Sequence, residues 1–296
     1  MADYTFKKEI SVYVVYGSLK YKLDISEITF NQSFREESYP VKTLHNQSSF
    51  EGSVINYANA ANYQFTVPLI REPRNKVVFE RLLDYATFDL YISTQQDDFK
   101  LEKCVLTNGT FAINKSRPLS LTVEGEASKL SIFTGTIPGT LQNTGVTTST
   151  YNLAKIATLT LGGTDISSSV KTLTLELEND VSWNKYGTIQ ESLVTTNASN
   201  SVYPSNFTIG TRVLGGTIDK YLEQGAPDTF NWGNNKALRL QLGEKVGNTV
   251  YGIDFNSSSC SFTNRIKPMR VFGEEYNWRM TQNPTALSSV LTYTTT

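Results

Sequence analysis

The chain has 296 residues, with 27 Lys and Arg against 28 Asp and Glu, a formal net charge of -1, one histidine and two cysteines. The length suits two domains of ordinary size, and basic residues spread along both halves leave no cationic face for gripping phosphates, so tight nucleic-acid binding is disfavoured. One histidine and two isolated cysteines cannot supply a tetrahedral zinc shell, and with neither a charged-then-apolar leader nor a run of about 18 apolar residues the expectation is a soluble protein made in the cytoplasm without membrane insertion.

Short alternating runs dominate. "ISVYVVYG" from Ile10 and "YKLDISEITF" from Tyr21 read as strands. A long polar segment over residues 31–62 follows, and then "YQFTV" from Tyr63. Val78, Leu82 and Tyr85 make an apolar stripe that predicts a helix over residues 75–85. In "LSLTVEGEA", Leu119, Leu121 and Val123 point one way while Ser120, Thr122 and Glu124 point the other, as in a sheet buried on one face. Residues 134–152, rich in Thr, Gly and Asn and almost free of charge, have the composition of a linker. "IATLTLGG" from Ile156 and "VKTLTLELE" from Val170 are further strands, before a second polar segment over residues 184–205 and "SNFTI" from Ser205. Ile218, Tyr221 and Leu222, stopped by Gly225 and Pro227, predict a second helix over residues 216–225.

The two halves repeat one another. "NKSRPLSLTVEGE" from Asn114 matches "NRIKPMRVFGEEY" from Asn264 without a gap, which sets Glu124 on Glu274; upstream, Leu90 falls on Leu240 and Ile92 on Leu242. With small length changes "YQFTV" pairs with "SNFTI", and "QSFRE" (from Gln32) with "VSWNK" (from Val181). Solenoid repeats run to roughly 20–50 residues, so so long a period means two whole domains. The expected fold is mainly β: two tandem β-sandwich or barrel domains, residues 1–142 and 143–296, each with one α-helix. Cys104 and Cys260 fall at unmatched places in separate halves, as buried free thiols do.

No catalytic grouping stands out. His45 sits in a polar loop-like stretch without a partnered nucleophile, and the adjacent acids Glu36–Glu37 and Glu274–Glu275 would face opposite ways on a strand. Tyr and Phe number 16 and 15, which leaves a tandem carbohydrate-binding or glycosidase sandwich open as an alternative, although sandwich cores want aromatics too. Long polar segments kept in both halves suggest arms that reach a neighbour; their charged or titratable members include Arg35, Glu36, Glu37, His45, Lys185 and Glu191.

The order strand, long arm, "QFTVPL", helix, strand and "LTNGTFAINKSRPLSLTVEGEASKLSIF", echoed by "LTLELENDVSW", "NFTIG", helix and "SCSFTNRIKPMRVFGEEYNW", resembles the tail tube proteins of long-tailed bacteriophages, in particular the duplicated kind whose trimeric rings imitate hexamers. The resemblance covers most of the chain. It implies a non-enzymatic subunit without cofactors that stacks with copies of itself around a channel for the genome. Implied partners are the tape measure, tail terminator and distal tail ring proteins, with transient passage of DNA, in a virion tail assembled in the host cytoplasm. A minor ring that initiates or terminates the tube is the alternative within this class. DNA carries one charge per roughly 1.7 Å of axis and would stall on a basic wall, so Glu124, Glu126 and Glu274 become the candidates to line the channel.

Overall fold

The computed structural model describes residues 10–25, 27–41, 50–69, 75–94, 97–113, 118–142, 155–184, 194–195, 201–222, 235–268 and 270–295. The protein is mainly β. The first half contains β1 (Ser11–Tyr16), β2 (Leu19–Leu23), β3 (Ile28–Asn31), β4 (Phe34–Val41), β5 (Phe50–Ala58), β6 (Ala61–Pro68), α1 (Lys76–Asp84), β7 (Phe88–Ser93), β8 (Asp98–Ile113), β9 (Ser120–Ala127), β10 (Lys129–Phe133) and β11 (Thr140–Gln142). The second contains β12 (Ile156–Leu161), β13 (Thr164–Asp165), β14 (Val170–Trp183), β15 (Val194–Thr195), β16 (Ser201–Tyr203), β17 (Phe207–Tyr221), β18 (Lys236–Val246), β19 (Thr249–Lys267), β20 (Gly273–Met280) and β21 (Leu291–Thr294). The run from Tyr21 is two strands, β2 and β3, parted after Leu23.

Each half stacks two sheets that share one long strand. In the first half β2, β1, β7, the start of β8 and β10 form one sheet, and β3, β6, β9 and the end of β8 form the other. β8 turns from one sheet to the other near Lys103, a non-glycine residue at φ 51°, beside a pairing shift between Phe88 and Leu90; such bulges bend a strand and raise its twist. The same pairings recur in the second half: β13, β12, β18, the start of β19 and β21 in one sheet, and β14, β17, β20 and the end of β19 in the other.

Alternation explains the core. Leu119, Leu121 and Val123 are fully buried, as their spacing predicts; Leu121 stands between Val67 and Phe111, and Val123 opposite Phe65. The helix α1 forms where expected and buries Val78, Phe79 and Leu82. Leu82 lies against Gly109, where a Cβ would stand 2.1 Å from its Cδ2, and Phe79 packs edge-on against Phe111 at 6.0 Å and Tyr293 of β21 at 5.7 Å. A single buried apolar cluster therefore runs through both halves.

The second predicted helix does not form at residues 216–221, which are the end of β17, and residues 223–225 lie outside the described residues. From Gly215 to Lys220 this strand is hydrogen-bonded on both sides, to β14 and β20, and that pairing outweighs a helical stripe of three side chains. The predicted boundary at residue 143 also falls outside the described residues.

Cys104 and Cys260 are free and buried. Burial pushes the Cys104 thiol and the Tyr63 hydroxyl well above their ordinary values and raises Cys260 to about 11; the Tyr63 hydroxyl donates to the Val105 carbonyl at 3.1 Å. The folded protein holds these groups neutral, whereas the unfolded chain ionises its thiols and phenols from about pH 8.5 and 10. Their contribution is thus complete below those values and is lost as pH rises through them. The Tm is expected to fall steeply above about pH 9, and a Tyr63→Phe/Cys104→Ala variant should show a shallower alkaline decline; an unchanged slope in a pH-resolved thermal melt would contradict this assignment.

Candidate assembly surface

One sheet crosses from the first half to the second. β14 pairs antiparallel with β8 from Leu173↔Ile113 to Glu178↔Asn108. This joins four strands to four in the order β3-β6-β9-β8-β14-β17-β20-β19. A polar lock secures the seam. Buried Asn179 donates to the Leu106 carbonyl at 2.9 Å and accepts from Arg212 Nε at 2.7 Å, while Arg212 Nη2 donates to the Leu82 and Leu83 carbonyls at 3.2 and 2.8 Å. These carbonyls belong to the last turn of α1, which has no intrahelical donors for them.

Because side chains alternate, the eight strands present one apolar and one polar face. Val67, Leu121, Phe111, Leu175, Gly216, Trp278 and Phe262 follow one another in register across the apolar face. Gly216, at φ 159°, sits between Leu175 and Trp278, where a Cβ would lie 2.1 Å from the Thr174 carbonyl oxygen. The adjacent row on the polar face reads Thr66, Thr122, Thr110, Glu176, Gly215, Arg279 and Ser261. Another runs Gln64, Glu124, Asn108, Glu178 and Val213. Thr66 and Thr122 share a hydroxyl hydrogen bond at 2.9 Å, as do Thr174 and Thr217.

Of the predicted lining acids, Glu124 is exposed on this polar face and accepts from Gln64 Nε2 at 3.1 Å. Glu126 shares the face, half-buried beneath Trp183, whose Nε1 donates to it at 2.8 Å. Glu274 differs: it is 7% exposed, lies on the same side of β20 as buried Tyr276 and Trp278, accepts from Asn264 Nδ2 at 2.6 Å and is 3.5 Å from Lys220 Nζ. The gap-free match that made it equivalent to Glu124 is therefore out of register. Phe111 and Phe262 occupy corresponding inward places, opposite Leu121 and Trp278, so the repeat has shifted by one residue already on β8 and β19, and by more after the longer β19–β20 hairpin. A strand shifted by an odd number presents its other face. The "YQFTV" match fails likewise: Phe65 stands opposite Ile28 in β3, and it is Leu214, not Phe207, that stands opposite Leu177 in β14.

Sequence reasoning passed over Glu176, Glu178 and Asp180, which are exposed on β14 beside the seam. The alternation in "LTLELEND" carried that signal. Among the described residues no cation stands within ion-pair distance of Glu124, Glu176 or Glu178. At the far end of the sheet, by contrast, Asp219 meets Lys171 at 3.1 Å and Lys267 at 3.8 Å, and Lys267 also pairs with Glu275.

The two polar arms meet within one chain. β4 pairs with β5 antiparallel, β5 with β16 in parallel through Asn56↔Ser201 and Tyr57↔Val202, and β16 with β15. Gln32 staples the root, donating to the Asn59 and Ser128 carbonyls and accepting from the Leu130 amide. Lys103 Nζ donates to the Ser205 carbonyl at 2.7 Å, Ser128 Oγ to the Pro204 carbonyl, and Phe34 packs edge-on against Tyr203 at 6.0 Å. Arg35 lies over the Tyr57 ring at 5.9 Å, Glu36 is exposed, and the Glu37 backbone stands opposite Ile55. His45, Lys185 and Glu191 lie outside the described residues.

Residues 2–83, which contain the strands from β1 to β6, the first arm and nearly all of α1, match the model of the Bacteriophage Baseplate Tube Protein Family. That span is similar to phage baseplate tube proteins. The match supports a structural, tail-related role in a bacteriophage virion. No curated protein matches the chain.

Proposed function

We propose that the protein is a structural subunit of a phage tail tube, self-assembling into trimeric, pseudo-hexameric rings that stack around a channel for the genome. The observation that carries this reading is the eight-strand sheet, made of two corresponding four-strand units, polar on one face and packed on the other. Barrels of 16–18 strands already leave an aqueous channel, so three such sheets closing about twenty-four strands would enclose an open lumen lined by hydroxyls, amides and the acids near the seam. Exposed Tyr221, Leu222, Ile266, Val271 and Phe272 gather where β17 and the β19–β20 hairpin end, and they suit contact with the next ring. The arms bridge neighbouring subunits or rings. Such a subunit works without cofactor or catalysis, alongside tape measure, terminator and distal ring proteins.

The match to baseplate tube proteins favours one second reading, a ring next to the baseplate from which a tube of other subunits grows. Electron microscopy of purified protein separates the two: long tubes support the main subunit, single rings the baseplate-proximal one. Removing residues 37–49 is expected to leave a folded β protein by circular dichroism that no longer stacks; tubes of ordinary length from this variant would count against the role given to the arms.

A further inference from the structure

Where α1 ends against the second half, a cleft of about 700 Å³ opens between the two halves of the chain. The last turn of α1 contributes Glu80, Asp84 and Tyr85, residues 282–288 line it from the second half, and Leu214 and Met280 supply apolar surface. The helix packs on the apolar face of the eight-strand sheet, with Leu82 against Gly109, so the cleft lies on the side away from the polar face.

Tyr85 is held in a backbone conformation that its type disfavours. At φ 48° and ψ 22° it closes α1 in the left-handed region, where glycine is usual. Bonds around it fix this turn: the Ala86 amide donates to Asp84 Oδ1 at 3.0 Å, and Asp84 Oδ2 is 2.8 Å from Arg81 Nη2. The Arg212 guanidinium, itself tied to the Leu82 and Leu83 carbonyls, lies over the Tyr85 ring at 5.0 Å. Yet Tyr85 remains 48% exposed, and it borders both the cleft and a second cavity of about 600 Å³ that Phe207 and Ile209 help to line. Backbone strain of this kind gathers where a side chain is put to use.

Oriented polar groups surround the ring. Gln282 Oε1 accepts from the Ser257 hydroxyl at 3.1 Å and the Ser258 amide at 2.9 Å, which fixes the side chain and leaves Nε2 without an acceptor among the described residues. Asn283, Asp84 and Glu80 are exposed at the rim. Arg81, 9% exposed, stacks on the Tyr16 ring at 3.9 Å and leaves Nε and Nη1 without an acceptor, so this wall holds more donors than acceptors. Two arginines balance two acids, which gives a polyanion little to gain, and the polar rim suits no lipid chain.

We infer that the cleft binds a neutral oligosaccharide, stacked on Tyr85 and hydrogen-bonded by Gln282, Asn283, Asp84 and Glu80. A sugar ring has an apolar C–H face and a belt of hydroxyls that both donate and accept, which complements an aromatic face set among amides and carboxylates. The volume suits a small-molecule site, and the second cavity gives a linear sugar chain room to run past Tyr85. Both walls belong to one chain, so the site stands independently of the ring. An extended peptide is the competitor, because no described strand covers β17 before Gly215 on the side of β20. The strained tyrosine and the oriented amide have no part in strand addition, and they favour the sugar.

Saturation-transfer NMR of the full chain with chitotetraose, maltotetraose and a threonine–valine hexapeptide tests the assignment. Transfer to the ring protons of at least one of the two sugars is expected. Tyr85→Phe should keep it, whereas Tyr85→Gly, which relieves the strained backbone and should melt no lower than the wild type, should weaken binding by about tenfold or more. Asn283→Ala, at an exposed position, should weaken it as well without changing the fold by circular dichroism. Transfer to neither sugar, transfer to the peptide alone, or wild-type sugar affinity in Tyr85→Gly or in both other variants would overturn the inference.

Discussion

Lysine in place of Glu124, Glu176 and Glu178 together should leave assembly intact and turn the tube into a DNA trap. All three are exposed on the polar face next to the seam, without a cation at ion-pair distance among the described residues. Their backbone pairings are unaffected by the change, and among the described residues the one side-chain bond lost is that from Gln64 to Glu124. A ring of three such chains would replace nine negative charges by nine positive ones around the lumen. Against a duplex bearing one charge per roughly 1.7 Å of axis, each ring becomes a binding site that must be escaped before the genome advances. Assembled variant tubes are expected to carry duplex DNA into the pellet on sedimentation at low salt and to release it as salt rises and screening shortens. Unaltered tubes should leave the DNA in solution. In virions, ejection should slow by an order of magnitude or more, most at low ionic strength. Normal ejection and no DNA retention would put this face outside the channel, where its acids would serve solubility instead.

Gly125→Val should abolish folding. Gly125 lies on β9, facing the core, and a Cβ there would stand 2.3 Å from the Tyr63 hydroxyl and ring and 2.6 Å from the Val105 carbonyl oxygen. Neither neighbour can yield cheaply. Tyr63 is buried, stacks on Phe65 at 6.2 Å and meets Phe88 edge-on at 6.5 Å, while Val105 is in the ladder that pairs β8 with β9. Overpacking a tight core costs about 1–3 kcal/mol and more when backbone must move, out of a total stability on the order of 5–15 kcal/mol. Soluble yield should collapse, and Tyr63→Ala in the same chain should restore part of it by vacating the ring. A Gly125→Val protein that melts with the wild type would show that β9 sits farther from Tyr63 than described.

Period-two patterning made much of this fold legible. It located β1, β9, β12 and β14 and named the buried side of β9, because a strand with one wet face must alternate. α1 was legible from its stripe. What escaped depended on partners distant in sequence. Ile218, Tyr221 and Leu222 can form a helical stripe in isolation, but β17 gains a hydrogen-bonded strand on each side and is extended. The likeness of Asn114 and Asn264 was real as words and misleading as register, since a shift by an odd number of residues reverses which side chains are buried, and the longer β19–β20 hairpin sent Glu274 to the core side. Glu124 and Glu126 lie on the polar face of β9, as the alternation of that strand implies. Glu176 and Glu178 were missed although "LTLELE" alternates as plainly, for only the β14–β8 pairing brings them beside Glu124 through Asn108. The meeting of the two arms at Asn56 and Ser201 had no local signal either.

Cryo-electron microscopy of the purified protein at high concentration tests the central claim most directly. The expected image is a ring of three chains, with six similar wedges, a continuous sheet around an open lumen and the Thr66–Thr122–Thr110–Glu176 row facing inward. Protein that stays monomeric by light scattering and yields neither rings nor tubes, or rings that turn this row to the outside, would contradict it.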